Sequence, residues 1–204
     1  MLLDHLAVSG ETLEAAQNYV EEALGVPMQG GGEHAVFHTH NKLMGLADGL
    51  YLEAIAINPD APEPDRPRWF DLDHFTGDAR LTNWICRSTT LDQDVAALPD
   101  GVGEAVQLNR GDLRWQMVVP SSGRLPFDNM CPALIEWQTS THPSDGLASS
   151  GCRLRRLIVV HPQAKELEVS VCRALVDNRI VFEQGTRECE SGGGTKARNW
   201  TCRS

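Results

Sequence analysis

Two glutamates lie inside strand-like apolar segments, where an ionised carboxylate is costly to bury alone. Glu53 lies in the segment 51–56, and Glu136 lies in the segment 134–139. A carboxylate in such a place must be paired, bind a metal ion or open onto a cavity. Because the two glutamates occupy matching places in two similar stretches, we expect a pocket lined from both halves of the chain.

A second matching pair lies at the front of the two stretches. The residues around His5, near the start of the sequence, align with those around Asn83. We predict that His5 and Glu53 face Asn83 and Glu136 across the shared pocket. Glu53 or Glu136 would act as a general base, because two close carboxylates raise the pKa of one of them towards neutral.

The positions of apolar residues predict the same order of elements in each half, namely a strand, a helix and then further strands. The predicted elements are the segments 2–8, 11–24, 35–46, 50–58, 81–86, 91–98, 104–109, 112–119 and 132–139. Ser9 or Gly10 is the expected N-cap of the first helix, and Gly25 its expected end. The three glycines at 30–32 are expected to form a loop that does not bind phosphate.

The repeat predicts an α+β fold of two tandem βαβββ modules, with a proline-rich connector between them. The modules are residues 1–66 and 67–145. A third, incomplete pass of strand, helix and strand predicts a C-terminal β-α-β extension over residues 146–184. Residues 185–204 are polar and rich in glycine, which predicts a flexible tail.

Composition excludes several classes of partner. The formal net charge is −10, from 18 basic and 28 acidic residues, which disfavours nucleic acid and anionic membrane surfaces. No apolar run approaches the roughly 20 residues of a membrane span, and the first residues lack the basic region of a secretory signal. The six cysteines form no C-x-x-C pair, and a chain of this size needs no disulfides, so we expect a cytoplasmic protein with reduced thiols.

Further candidates lie on one predicted strand of the first half. His38 and His40 share one face, and Asn41 points to the other. We assign His40 and Asn41 a pocket or structural hydrogen-bonding role, and His38 to a polar surface. His34 and His74 lie in loop-like stretches and are expected at the surface.

The second half contributes a cation and several aromatic residues. Arg110 precedes a Gly-Asp turn between two predicted strands. It is either a solvated turn residue or a clamp for a substrate carboxylate or phosphate at the pocket mouth. The aromatic residues are expected to pack between sheets, with some of them forming walls of the pocket. They are Trp84, Trp115, Phe127 and Trp137.

Several segments together carry a resemblance to a known family. They are 3–8, 39–46, 51–59, 110–115, 125–128, 132–137 and His142-Pro143. With these segments the chain resembles the vicinal oxygen chelate superfamily of glyoxalases, bleomycin-resistance proteins and dioxygenases, and within it the glyoxalase-like domain proteins. The likeness runs from residue 2 to about residue 162.

The resemblance implies that the two modules join into a curved, half-open barrel. In members that bind metal, the first and last strands of each module supply the ligands, which here are His5, Glu53, Asn83 and Glu136. The implied ion is Mn, Fe, Ni, Zn or Mg, acting as a Lewis acid on an enediolate or similar anion. Asn83 departs from the pattern, because an amide oxygen is a weak ligand. No G-x-G-x-x-G motif is present, so we expect no nucleotide cofactor.

Functions of different classes stay open. The first is a glyoxalase-like lyase or isomerase that removes a proton next to the carbonyl of a small oxygenated metabolite, with assistance from the metal. The second is a non-catalytic protein that binds or sequesters a small ligand, as bleomycin-resistance proteins do, and Asn83 favours it. A ring-cleaving dioxygenase is disfavoured because position 83 is not histidine. The two glutamates disfavour a pure interaction module, and a homodimer is left open.

Overall fold

The computed structural model describes residues 1–185 and 200–202, and its main feature is a curled sheet of eight strands. The elements up to the end of this sheet are β1 Leu2–Ser9, α1 Leu13–Leu24, β2 Gln29–His34, β3 Thr39–Gly45, β4 Tyr51–Ile57, β5 Arg80–Arg87, α2 Leu91–Ala97, β6 Glu104–Arg110, β7 Leu113–Val119, α3 Pro126–Asn129 and β8 Ala133–Trp137. The predicted α+β class is confirmed.

The strand order shows the repeat directly. The sheet runs β2-β3-β4-β1-β5-β8-β7-β6, so each half places its first strand beside its last. β1 pairs in parallel with β4, and β5 pairs in parallel with β8. The two halves join where β1 and β5 pair antiparallel. The two edge strands, β2 and β6, approach each other, which curls the sheet into the predicted half-open barrel.

The glycine-rich segment at 30–32 belongs to β2 and is not the predicted loop. The strand is irregular there, with a register shift between Gly30 and Glu33. A Cβ on Gly31 would lie 2.0 Å from the backbone oxygen of Asn41, so only glycine allows this approach of β2 to β3.

Helix α1 packs on the first half of the sheet through the buried side chains of Ala16 and Val20. Its N-cap is Thr12, whose side chain accepts a hydrogen bond from Ala15 N, and not the predicted Ser9 or Gly10. The predicted end is correct, because Gly25 has the left-handed conformation at φ 68°.

A bulge in β1 gives the first strand its special role. Leu3 pairs with Cys86 and His5 pairs with Ile85, so Asp4 is the extra residue on the β1 side. Successive side chains of a regular strand point to opposite faces, and a bulge relaxes this alternation. The bulge therefore allows Asp4 and His5 to form a hydrogen bond although they are neighbours in sequence.

The connector between the halves, which is the stretch between β4 and β5, ends in a segment that packs into the core. A 3-10 segment, Trp69–His74, contains Phe70 and Asp71 at φ 61° and 58°. Asp71 N donates to Gly123 O, and Asn129 Nδ2 donates to Phe70 O. These bonds hold the aromatic side chains of Trp69 and Phe70 in the core.

The C-terminal extension packs against the joined sheet. It consists of β9 Cys152–Leu154, β10 Leu157–His161, α4 Ala164–Val171 and β11 Ile180–Gln184, and the short strand β12 Trp200–Cys202 pairs with β9. The ring of Phe182 meets that of Trp84 edge-on, and the terminal amine of Met1 donates to Ala174 O. Most of the predicted tail, residues 186–199 and 203–204, lies outside the described residues.

Cys152 is disulfide-bonded, which corrects the expectation that all thiols are reduced. No helix within the described part of the chain is long and apolar enough to cross a membrane.

A substitution at Gly123 tests how tightly the connector packs against this part of the chain. A Cβ on this residue would lie 2.0 Å from Arg68 O, and its φ is +75°. Gly123→Ala should therefore destabilise the protein by more than the roughly 1–2 kcal/mol of left-handed strain alone. Urea unfolding measures the loss.

Two matched variants separate the causes. Gly25→Ala carries the left-handed strain without a neighbour within 4 Å, and Gly146→Ala carries neither. We expect the free energy of unfolding to fall in the order Gly146→Ala, Gly25→Ala, Gly123→Ala. An equal loss for the last two would contradict a tightly docked connector.

Candidate functional site

One cavity opens on the inner face of the curled sheet. Its empty volume, including the open solvent at its mouth, is about 390 Å³. Both halves of the sheet and the connector line it. The lining residues are His5, His34, Asn41, Leu43, Tyr51, Glu53, Trp69, Phe70, Arg110, Trp115, Met117, Ile135 and Trp137.

Glu53 is the buried carboxylate of this cavity, with 5% of its surface exposed. Asn41 Nδ2 donates to its Oε1 at 2.6 Å, and His5 Nε2 lies 3.7 Å from its Oε2. Burial opposes ionisation of Glu53, but the hydrogen bond and charge of His5, with His34 and Asn41, outweigh it and lower its pKa. The prediction of a raised pKa is therefore wrong for this residue, because its neighbours are cationic or donors.

Asp4 lies behind His5 and is fully buried. It accepts hydrogen bonds from His5 Nδ1 at 2.6 Å, from Trp137 Nε1 at 3.1 Å and from His142 Nε2 at 2.9 Å. Burial opposes its charge, but the hydrogen bonds from His142 and His5 outweigh it and hold the pKa of Asp4 well below its usual range. The first strand is thereby tied to the segment that follows β8.

His5 lies between two carboxylates. Burial disfavours its protonation, but the hydrogen bonds with Asp4 and Glu53 outweigh this and raise the pKa of His5 to about 9. With Nδ1 held by Asp4, Nε2 is the nitrogen directed towards Glu53. Tyr51 stacks on the His5 ring at 4.3 Å and 12°, which fixes the plane of the imidazole.

His34 also lines the cavity, although it was expected at the surface. It is 5% exposed, and burial lowers its pKa to about 4. Its Nδ1 lies 3.0 Å from Thr39 Oγ1 and its Nε2 lies 3.3 Å from Asn41 Nδ2. A neutral ring that donates from Nδ1 and accepts at Nε2 satisfies both contacts.

Arg110 reaches the cavity from the far edge of the sheet. It ends β6, yet its Nη1 donates to Asn41 Oδ1 at 3.2 Å on β3. Asn41 Oδ1 also accepts from Gly32 N at 2.8 Å. Asn41 thus contacts Arg110 through its oxygen and Glu53 through its nitrogen, and it separates the two charges.

The predicted four-residue cluster is not assembled. Glu136 is half-buried and does not line the cavity, because its neighbours Ile135 and Trp137 occupy the inner face of β8. Asn83 is fully buried and lies outside the cavity lining, where it exchanges hydrogen bonds with Asn129 at 3.3 and 3.5 Å. Of the four, His5 and Glu53 line the cavity.

Three of the predicted substrate contacts also lie elsewhere. His40 is on the outer side of β3, Trp84 donates to Met130 O on the buried back of β5, and Phe127 packs edge-on against His161. Asn41, Arg110 and Trp115, which were predicted with them, do line the cavity, as listed above.

The implied metal does not fit the residues present. Within the described residues, no group of three or more His, Cys, Asp and Glu side chains could hold an ion. His5 and His34 approach opposite oxygens of Glu53, at 3.7 and 4.0 Å. The Asn41 amide lies among these atoms and directs N–H groups at Glu53 and His34, where a cation would need acceptors. The residues of this cavity therefore do not provide the ligands of a metal ion.

Sequence reasoning missed residues on both sides of the cavity. Trp69 and Phe70 come from the connector, and their signal was an apolar pair just after a proline-rich stretch. His34 pairs with Thr39 beside the turn of the β2–β3 hairpin. No local sequence pattern shows this pairing. Asp4 was missed as well, although a buried acid needs partners.

Asp4 is the residue whose charge we expect the fold to need most. Asp4→Asn removes one partner of a buried ion pair, so we predict a loss of about 3–5 kcal/mol in the free energy of unfolding. Asp92→Asn, at an exposed position on α2, is the matched control.

The same variants give a pH signature. Because the pKa of His5 is raised to about 9, its protonation stabilises the folded state below the unfolded pKa of about 6.5 and is lost as pH rises towards 9. Between about pH 7 and 8, wild type and Asp92→Asn should lose roughly 1 kcal/mol, and Asp4→Asn much less. An equal decline in all three proteins in urea unfolding would contradict this assignment.

A hypothetical protein from Staphylococcus aureus matches with a TM-score of 0.63 and 14% identity, over 96% of this chain and 88% of that one. This match shows a shared fold. Methylmalonyl-CoA epimerase from Mycobacterium tuberculosis matches with a TM-score of 0.44 and 14% identity, over 68% of this chain and 88% of that one. No curated protein matches the sequence.

The family model described as a glyoxalase-like domain matches residues 3–174, which is most of the chain. It extends past the segments that carried the resemblance and includes β10 and α4 of the C-terminal extension. The resemblance is confirmed, and the chain belongs to the glyoxalase-like domain family of the vicinal oxygen chelate superfamily.

Proposed function

We propose that the protein is an enzyme that removes a proton from a carbon next to the carbonyl group of a small metabolite. Glu53 is the base, and the His5 imidazolium stabilises the enolate that forms. The observation that carries the proposal is the buried carboxylate of Glu53, with His5 Nε2 at 3.7 Å, in a cavity walled by aromatic rings.

The two groups have the protonation states that the reaction needs. Glu53, with its lowered pKa, is ionised at neutral pH, and His5, with its pKa near 9, is protonated. The C–H proton passes to Glu53 Oε2, and the electron pair of the C–H bond moves into the carbonyl, whose oxygen becomes an enolate oxygen. His5 Nε2–H donates to that oxygen. Return of the proton to a different carbon of the delocalised anion completes an isomerisation, whereas return to the same face of the same carbon regenerates the substrate.

Two neighbours support these roles. Asp4 fixes the His5 ring through Nδ1, so that the proton on Nε2 is directed towards the cavity. Asn41 holds Glu53 Oε1 at 2.6 Å and leaves Oε2 as the oxygen nearer to His5. This arrangement keeps acid and base beside each other before a substrate arrives, as preorganised catalysis requires.

Replacement of the base is the first test. Glu53→Gln should reduce the exchange of carbonyl-adjacent hydrogens for deuterium by about 10²–10⁴-fold, the usual contribution of a positioned base. Proton NMR in D₂O, with a panel of small ketones and oxo acids, measures this exchange. Glu136→Gln, on β8 outside the cavity, is the matched control and should keep wild-type exchange.

The pH dependence tests His5. Because its pKa is raised to about 9, the exchange rate should fall as pH rises through about 9, by about tenfold per unit beyond it. On the acid side the rate should persist below the ordinary pKa of a glutamate, since the pKa of Glu53 is lowered. A rate that rises steadily with pH up to 10 would show that His5 is not needed in its protonated form.

A ligand-binding protein without catalysis is the second candidate. The lowered pKa of Glu53 makes it a weak base, and the ring-lined cavity suits ligand binding without chemistry. Thermal stabilisation by organic ligands without any deuterium exchange would select this function.

A further inference from the structure

We propose that the ligand of this cavity is a small planar carboxylate, with its carboxylate bound by Arg110 and its flat group held between the aromatic walls. The inference rests on the proposed function, because it gives the substrate class of the same site.

Arg110 is a partly buried cation without an acidic partner among the described residues. Its guanidinium contacts the neutral Asn41 Oδ1 at 3.2 Å. By contrast, Arg68 pairs with Asp73 at 2.6 Å, and Arg179 pairs with Asp177 at 2.6 Å. A guanidinium uses several N–H groups in a planar fork, and one bond to Asn41 leaves an edge for a carboxylate.

The chain makes room for Arg110 in this position. A Cβ on Gly32 would lie 2.6 Å from Arg110 Cδ, so the arginine stem occupies the space that any other residue at 32 would fill. Asn41 Oδ1 accepts from both Gly32 N and Arg110 Nη1. The guanidinium is therefore held at the cavity before a ligand binds, which reduces the entropy lost on binding.

Trp69 supplies an independent sign of a ligand. It is 4% exposed and lines the cavity, yet its indole N–H has no hydrogen-bond partner among the described residues. By contrast, Trp137, which also lines this cavity, donates its indole N–H to Asp4. Buried donors are normally paired, so an acceptor oxygen of the ligand is the natural partner of Trp69.

The walls favour a flat molecule. Five aromatic side chains line the cavity, namely Tyr51, Trp69, Phe70, Trp115 and Trp137. Flat walls favour a planar group by stacking.

The charges orient the ligand. Glu53 repels a carboxylate, and Arg110, on the other side of Asn41, attracts it. The anionic end therefore lies at Arg110, and the carbonyl and its neighbouring carbon lie towards His5 and Glu53. At the Arg110 end of the cavity, a single guanidinium matches a monoanion better than a phosphate dianion.

Calorimetry with probes that the proposed reaction leaves chemically unchanged tests the inference. Benzoylformate joins a planar benzoyl group to a carboxylate and has no hydrogen on the carbons next to its ketone, so it binds without undergoing the proposed reaction. Acetophenone is its neutral counterpart and phenyl phosphate its dianionic one. We expect benzoylformate to bind wild type at least tenfold more tightly than either, the size of a charge-assisted hydrogen-bond pair.

Variants assign the effect to the residues. Arg110→Gln should remove the preference for benzoylformate over acetophenone, whereas Arg114→Gln, an exposed arginine on β7, should keep it. Gly32→Ala, which displaces the Arg110 side chain without removing its charge, should weaken benzoylformate binding by several-fold. Trp69→Phe, which keeps the ring and removes the N–H, should do the same.

The outcomes separate this inference from the proposed function. Equal binding of benzoylformate and acetophenone, tighter binding of phenyl phosphate, or an unchanged preference in Arg110→Gln would overturn the carboxylate site, even if deuterium exchange occurs. Carboxylate binding that depends on Arg110, with no exchange of any ketone or oxo acid, would support the site and overturn the catalytic proposal.

Discussion

The hydrogen bonds to the buried carboxylate of Asp4 are the interactions on which the rest of the site depends. A fully buried charge is tolerable only when donors surround it, and here three donors do so, from His5, Trp137 and His142. They belong to β1, to β8 and to the segment after β8. The carboxylate therefore ties the start of the first half to the end of the second, and it also sets the charge and orientation of His5.

The curl of the sheet depends on a second contact, at the opposite rim. Arg110 crosses from β6 to Asn41 on β3, and Gly32 leaves the space that its side chain needs. Asn41 then continues the chain of hydrogen bonds to Glu53. The closure of the barrel and the environment of Glu53 are consequently coupled through one amide side chain.

The backbone is repeated, but the chemistry of the cavity is not. Both halves place their first and last strands side by side in parallel, so the fold has internal symmetry. In the first half the inner face of the last strand carries Tyr51 and Glu53, and in the second half it carries Ile135 and Trp137. The first half supplies His5, His34 and Glu53, and the second half supplies apolar walls together with the cation Arg110. Such asymmetry is expected when function is added to a scaffold that serves many functions.

The sequence by itself determined the repeat, the order of elements apart from β2, and the inward position of His5 and Glu53. Periodicity and turn residues act locally, and the need to satisfy a buried carboxylate can be inferred from an apolar strand alone. Tertiary structure decided which of two neighbouring residues on β8 faces inward, and so excluded Glu136. It also brought in His34 and Trp69, and it lowered the pKa of Glu53 instead of raising it. These outcomes depend on curl, on docking of the connector and on charges brought close through space, none of which has a local signature in the chain.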